Sequence, residues 1–274
     1  MTDHRFETHH PVHLHTEIGK GSVSVVATET TETRVEITGR DADQVIVRQD
    51  GDAISVIGPK QRGAIFGGDS RLDVAVTLPA GSDLSIRTGS ADISVAGPVA
   101  GGQLKSGSGD VQVEETSAPM LLETGSGDIR VDTGAAELRV KSGSGNVVLA
   151  DLASTTSVST GSGDVKIGTS HGATVVKTGS GDLEVGDATL DVSLTTGSGD
   201  LVVGTAHRGR LTAKGASGDI QIGIRAGVPV WTDISTVSGA IRSNLTGAGE
   251  PKDGVDHVEV RAKTVSGDVV LTEA

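Results

Sequence analysis

Residues 106–113 read Ser-Gly-Ser-Gly-Asp-Val-Gln-Val, and residues 124–131 read Thr-Gly-Ser-Gly-Asp-Ile-Arg-Val. The phrase starts again at Ser142, Thr160, Thr178 and Thr196. Its aspartate position falls at Asp92, Asp110, Asp128, Asn146, Asp164, Asp182 and Asp200, so every step is 18 residues. A period held without slippage over these intervals marks a solenoid, in which each repeat is one supersecondary unit stacked on its neighbours. Degenerate copies continue the series at Asp219, at Gly239-Ala240 and at Gly267-Asp268.

Working outward from the aspartate, the first and third residues after it are apolar in almost every copy: Ile93 and Val95, Val111 and Val113, Ile129 and Val131, Val165 and Ile167, Leu183 and Val185. Alternation in β-branched and aliphatic residues predicts a short strand with one buried face. A second alternating stretch precedes the glycines, as in Met120, Leu122 and Thr124 or Val192, Leu194 and Thr196. Each repeat therefore supplies two strands, joined by a fixed Gly-Ser-Gly corner and a variable corner of about five residues such as Glu114 to Ala118. No segment carries a 3.6-residue apolar period long enough for a helix. The expected fold is all-β: a single-stranded β-solenoid, or β-helix, with about 18 residues per coil and irregular terminal caps.

This architecture accounts for the composition. The 274 residues include 40 glycines, two phenylalanines, one tryptophan, no tyrosine and no cysteine. Stacked strands about 4.8 Å apart place each side chain over its equivalent in the next repeat, so the narrow interior is filled by aliphatic layers and has no repeated place for a ring. The glycines are expected at corners that need positive φ. Collagen is excluded, because glycine does not fall at every third position and there are only seven prolines.

The period fails at both ends. Residues 1–80 carry strand-like runs (Ser22 to Ala27, Arg34 to Thr38, Gln44 to Arg48, Ala53 to Ile57, Arg71 to Leu78) and one decayed corner, Gly19-Lys20-Gly21-Ser22-Val23. They read as irregular N-terminal coils and cap, residues 81–225 as the regular repeat, and residues 226–274 as irregular C-terminal coils and cap of one continuous solenoid. Gly58 to Ser70 and Asn244 to Asp256 read as loops, the latter an insertion between the copies at Ala240 and Asp268.

A net charge of −13 repels phosphate backbones and anionic headgroups, so nucleic acid is not an expected partner. No apolar run of signal-peptide or membrane-spanning length occurs, which gives an expectation of a cytoplasmic protein with no direct membrane insertion, reaching a cell surface only by an unconventional route.

Four groups could carry chemistry. The aspartate column (Asp110, Asp128, Asp164, Asp182 and Asp200, extended by Asp92, Asp219 and Asp268) could form a row of cation sites. Its alternative is an Asx-turn in which each carboxylate accepts N–H groups of its own glycine corner, a role Asn146 fills without charge. The Ser/Thr column (Thr88, Ser106, Thr124, Ser142, Thr160, Thr178, Thr196) is expected inside as a hydroxyl ladder and not as an ice-binding face. His4, His9, His10, His13 and His15 are the densest group of metal-ligand types, with His13 and His15 on one face of a strand, but no cysteine or spaced acids complete a site. Trp231 is either a plug over the last coils or a contact for a partner. No catalytic residues and no cofactor are assigned. The serines sit in corner repeats, and a glycan-active enzyme would need a carboxylate pair near one of the two loops.

The Gly-Ser-Gly-Asp-Val/Ile-x-Val pattern, with Thr-Val-Ser-Gly-Asp-Val at Thr264 to Val269, resembles the bacterial putative-adhesin family of β-strand-repeat domains, a domain of unknown function, over about residues 15 to 272. The resemblance implies a right-handed β-solenoid, ties to cell-envelope stress or adhesion in some members, and no catalytic residues. The combined expectation is a non-enzymatic interaction or scaffold protein. It would meet an unknown protein partner, and self-association is open to it, through its ends or through faces whose charges alternate in sign, as in the column Arg87, Lys105, Glu123, Lys141 and Lys177. Surface adhesion or envelope stress is the alternative role.

Overall fold

The computed structural model describes residues 1–59, 71–246 and 256–274. The chain divides into two compact units, Met1–Arg139 and Val140–Ala274. Each is built mainly from parallel strands in two sheets, the strands being what alternation without helical periodicity predicts. Sheet I takes the strand that follows the aspartate position and sheet II the strand that precedes the glycines. Among the described residues the one helical element is a 3-10 turn, Ala42–Gln44, which takes Gln44 from the run expected to be strand. None is long and apolar enough to cross a membrane.

In the first unit, sheet I pairs Asp92–Val99 with Val111–Thr116 and that strand with Ile129–Gly134, Val111 lying beside Ile93 and Ile129. Sheet II pairs Asp83–Thr88, Gly102–Ser106 and Met120–Thr124 in the same way, Leu104 beside Ile86 and Leu122. In the second unit Val165 stands beside Val147 and Leu183, and Val176 beside Val158 and Leu194. Within each unit the equivalent aliphatic positions stack into fully buried columns, Leu104 and Leu122 in the first and Val176 and Leu194 in the second.

Sheet I strands run further than the sequence predicts. Glu114 and Glu115 are both exposed, after which Thr116 turns inward and is buried. The strand therefore bends within its own length, and the variable corner shrinks to Ser117–Pro119. The bend creates a third inward column, with Leu152, Ser170, Ala188, Ala206 and Ile224 in the second unit. It escaped the sequence reading because its positions mix large aliphatic, small and hydroxyl residues with no shared type.

The glycine corners are explained differently from the expectation. Most of the repeat glycines, Gly107 and Gly125 among them, do not have positive φ. What excludes a side chain is the stacking itself: a Cβ on Gly163 would overlap the carbonyl of Gly145 in the preceding repeat. Positive φ adds to this only later in the series, as at Gly181.

The end repeats are not stacked in chain order. In the second unit Val258–Ser266 lies between Gly209–Lys214 and Val230–Ser238 in sheet II, and Val269–Glu273 lies between Ile220–Ile224 and Ile241–Ser243 in sheet I. The last repeat of the chain is thus intercalated, and residues 230–243 form the outermost layer. In the first unit His13–Ile18 and Lys20–Thr28 are likewise intercalated, between the 83–99 repeat and Ala53–Ile57 with Arg71–Pro79. Ser22 there lies beside Asp92, so the decayed corner occupies its proper place in the repeat. Beyond that layer the direction reverses: Glu32–Gly39 and Thr2–Glu7 add antiparallel to sheet I, and Ile46–Asp50 adds antiparallel to sheet II. The loops expected at Gly58 to Ser70 and Asn244 to Asp256 fall largely on residues 60–70 and 247–255, outside the described residues, as does any carboxylate pair expected there.

Candidate functional site

The aspartate column is a ladder, though not the one its local motif suggests. Asp92 Oδ1 accepts the backbone N–H of Asp110 at 3.0 Å, and Asp110 Oδ1 accepts that of Asp128 at 2.8 Å. In the second unit the series runs from Asn146 to Asp164, Asp182, Asp200 and Asp219. Each carboxylate thus caps the N–H of the next repeat, where an Asx-turn would have capped its own corner. Stacked carboxylates about 5 Å apart repel by roughly 1 kcal/mol in water-like dielectric, while a hydrogen bond to a charged acceptor contributes about 1.5–3 kcal/mol. The bond outweighs the repulsion, and Asn146 makes it with no charge at all. The ladder also records the intercalation, since Asp219 accepts from Asp268, 49 residues on, and Asp268 accepts from Ala240, 28 residues back.

The Ser/Thr column is similarly committed. Thr124 Oγ1 accepts the N–H of Gly127 at 3.0 Å and donates to the Gly109 carbonyl of the preceding repeat at 3.3 Å. Ser106 does the same with Gly109 and the Ala91 carbonyl. These hydroxyls are buried, so they present no threonine face to solvent.

The N-terminal histidines do not gather. His13 and His15 share the outward face of His13–Ile18, but His13 pairs with Asp83 at 3.3 Å while His15 meets Glu17 and Ser85. His171 and His207 pair singly with Asp151 and Asp187. Among the described residues no group of three or more such side chains is placed to hold a metal.

What remains exposed and grouped is the outer face of sheet II in the second unit. Trp231 is 48% exposed on the outermost described strand of sheet II. The Arg261 guanidinium lies over its ring, 5.7 Å from the centroid, a cation–π contact. Glu259 accepts from Arg261 and from Arg210, each at 2.7 Å. The hydrogen bond from Arg210 chiefly holds the Glu259 carboxyl below its ordinary range, and Glu259 in turn raises Arg210. Beside them Lys263 pairs with Asp233 at 3.5 Å.

The charge pattern differs between the units. In the first, Lys105 stands between Arg87 and Glu123 and forms an ion pair with Glu123 at 2.6 Å, so the column mixes signs, although Arg87 and Lys105, side by side, break the strict alternation expected. In the second, the same column runs Ser159, Lys177, Thr195, Lys214 and Lys263, with hydroxyls in place of acids. A basic, hydroxyl-rich face on a protein of net charge −13 is a local reversal of field.

The model of the Toastrack DUF4097 family matches residues 13–171 and 137–272, which together span the repeats and both intercalated ends. The chain belongs to the Toastrack DUF4097 family. No curated protein matches it. Solved structures that align with this Toastrack chain over its full length include a "putative lipid binding protein" from Parabacteroides distasonis ATCC 8503, 14% identical, with 96% of that chain covered and a TM-score of 0.46. A "putative adhesin" from Bacteroides fragilis NCTC 9343 is 13% identical, with 96% of it covered and a TM-score of 0.37. A "putative cell adhesion protein" from Clostridium sporogenes ATCC 15579 is 10% identical, with 99% covered and a TM-score of 0.23. Likeness at this level transfers no activity. The Toastrack family is a domain of unknown function with a β-repeat fold, and its adhesin-like neighbours are not named as enzymes.

Proposed function

We propose that this chain is a non-enzymatic interaction scaffold: a right-handed single-stranded β-solenoid of about 18 residues per coil that meets a protein partner through the outer face of sheet II in its second unit. The observation that carries the reading is the division of labour among the polar residues. The repeated aspartates and hydroxyls, the most abundant chemistry in the sequence, bond backbone groups of neighbouring repeats. The Trp231–Arg261 pair is an aromatic and a guanidinium left on the surface, the residue types that dominate binding energy at protein interfaces. The lysine and arginine rows around it favour a partner with an acidic surface. Right-handed winding follows the family resemblance.

The test is capture from the native host by the unaltered chain and by Trp231→Ala and Arg261→Glu. A protein held by the first and lost by both variants, with their melting temperatures unchanged, supports the reading. Capture that is indifferent to both removes this face, and turnover of a glycan by the purified chain would replace the scaffold role.

A further inference from the structure

We propose that the chain self-associates through the open edge of Val230–Ser238, a second copy adding its own Val230–Ser238 antiparallel about a two-fold axis at Ile234. Among the described residues this strand is outermost in sheet II of the second unit and pairs on one side only, with Val258–Ser266. Val258 N–H donates to the Pro229 carbonyl at 3.0 Å, which sets the alternation. Odd-numbered residues face Val258–Ser266, so the N–H and C=O groups of Val230, Thr232, Ile234 and Thr236 point to the free edge.

Edge strands ordinarily discourage pairing with lysine, proline or a bulge. Over its nine residues Val230–Ser238 has one charge, Asp233, and no lysine or proline. The inward side chains of this layer are also uncovered among the described residues: Val230, Thr232, Ile234 and Thr236 are half-buried or exposed, whereas their partners Val258, Val260 and Ala262 are fully buried. Trp231, Val237, Ile241 and Val265, four of the chain's exposed large apolar side chains, collect here, with Val237 83% exposed.

The sequence of the strand selects a second copy as the occupant. With the axis at Ile234, Trp231 lies opposite Val237, Thr232 opposite Thr236, and Asp233 opposite Ser235. Ile234 and Thr232/Thr236 become hydrogen-bonded pairs that use the free edge groups, and the whole strand is paired. Moving the axis to Asp233 would set two carboxylates face to face, which is destabilising in a cross-strand pair. The proposal deepens the interaction reading, because the two-fold would place two Trp231–Arg261 faces side by side, yet the two can fail separately.

Mass measurement by light scattering across the micromolar range tests it, with the full chain. The expected result is a concentration-dependent dimer. Val237→Lys should weaken it by about tenfold or more through a charge placed opposite Trp231. Ile234→Pro should abolish it while removing only the edge-facing N–H, a substitution edge strands tolerate. The chain has no cysteine, so a single Ile234→Cys reports the register. Hydrogen-bonded antiparallel pairs sit about 5.5 Å apart at Cα, within disulfide range, and diamide should cross-link that variant but not Ser193→Cys on the same sheet away from the edge. A monomer at every concentration overturns the proposal, as does a dimer that survives both Val237→Lys and Ile234→Pro, or one in which Cys at 234 does not cross-link. None of these outcomes alters the capture test with Trp231→Ala.

Discussion

The terminal layers of the two units are built from the same parts and finished differently. At the N-terminal end of the first unit, the outermost parallel layer is Ala53–Ile57 with Arg71–Pro79, and its inward residues Ile54, Val56, Leu72, Val74, Val76 and Leu78 are all buried. Antiparallel strands lie beyond it, and the last of them, Thr2–Glu7, is guarded by Asp3, Arg5, Glu32 and Arg34 in a mesh of ion pairs. At the outer end of the second unit, Val230–Ser238 and Ile241–Ser243 have no such strands over them among the described residues, and their inward residues remain accessible. A parallel array always ends in an unpaired row of N–H and C=O groups. The first unit answers that problem with its own chain; the second leaves the row for another.

Truncating one inward isoleucine at each end gives the largest expected contrast. Ile54→Ala empties a fully buried site and should cost about 2–5 kcal/mol, whereas Ile234→Ala in dilute, monomeric protein should cost less than about 1 kcal/mol; chemical denaturation of both variants checks this. Equal costs would mean the second end is as well covered as the first. Next in size is Asp268, whose Oδ1 accepts the Ala240 N–H and so tethers the outermost layer. Asp268→Ala should cost about 1–2 kcal/mol and raise hydrogen exchange in residues 230–243, while Asp268→Asn should behave like the native chain, as Asn146 does within the ladder.

Acid should act more weakly, and at both ends. Hydrogen bonding from Arg34 holds Asp3 below its ordinary pKa, and hydrogen bonding from Arg210 does the same for Glu259. A carboxyl depressed in the folded state stabilises above its unfolded pKa and loses that contribution as pH falls through the folded value. Melting temperature should therefore decline less steeply below the ordinary carboxylate range in Arg34→Gln and Arg210→Gln than in the native protein. A chelator should have the smallest effect of all. With each Oδ1 bonded to backbone, removal of divalent cations should leave the melting temperature unchanged, and a drop would revive the row of cation sites along Asp110, Asp128, Asp164, Asp182 and Asp200.

The sequence made the repeat legible because its key positions have single solutions. Aliphatic residues at the first and third positions after aspartate must face inward, and the corner glycines tolerate no Cβ. The acceptor role of the aspartates was half legible. Their side chains do cap N–H groups, but those groups belong to the next repeat, and a motif read locally cannot show what is stacked above it. The intercalated ends were hidden for the same reason. Asp219, Ala240 and Asp268 follow one another in the chain, and only pairing registers reveal that Asp268 lies between the other two. Trp231 had two readings because a lone tryptophan sets no period; the structure adds its place on an outermost strand under Arg261, which no sequence pattern announces.

Amide exchange measured residue by residue, in dilute and in concentrated solution, tests the contrast between the ends most directly. Amides of residues 72–78 should be protected at every concentration, while those of Thr232, Ile234 and Thr236 should exchange rapidly when dilute and become protected when concentrated. Protection of Thr232, Ile234 and Thr236 in dilute solution equal to that of residues 72–78 would contradict the account, because it would show that the second unit closes its own edge.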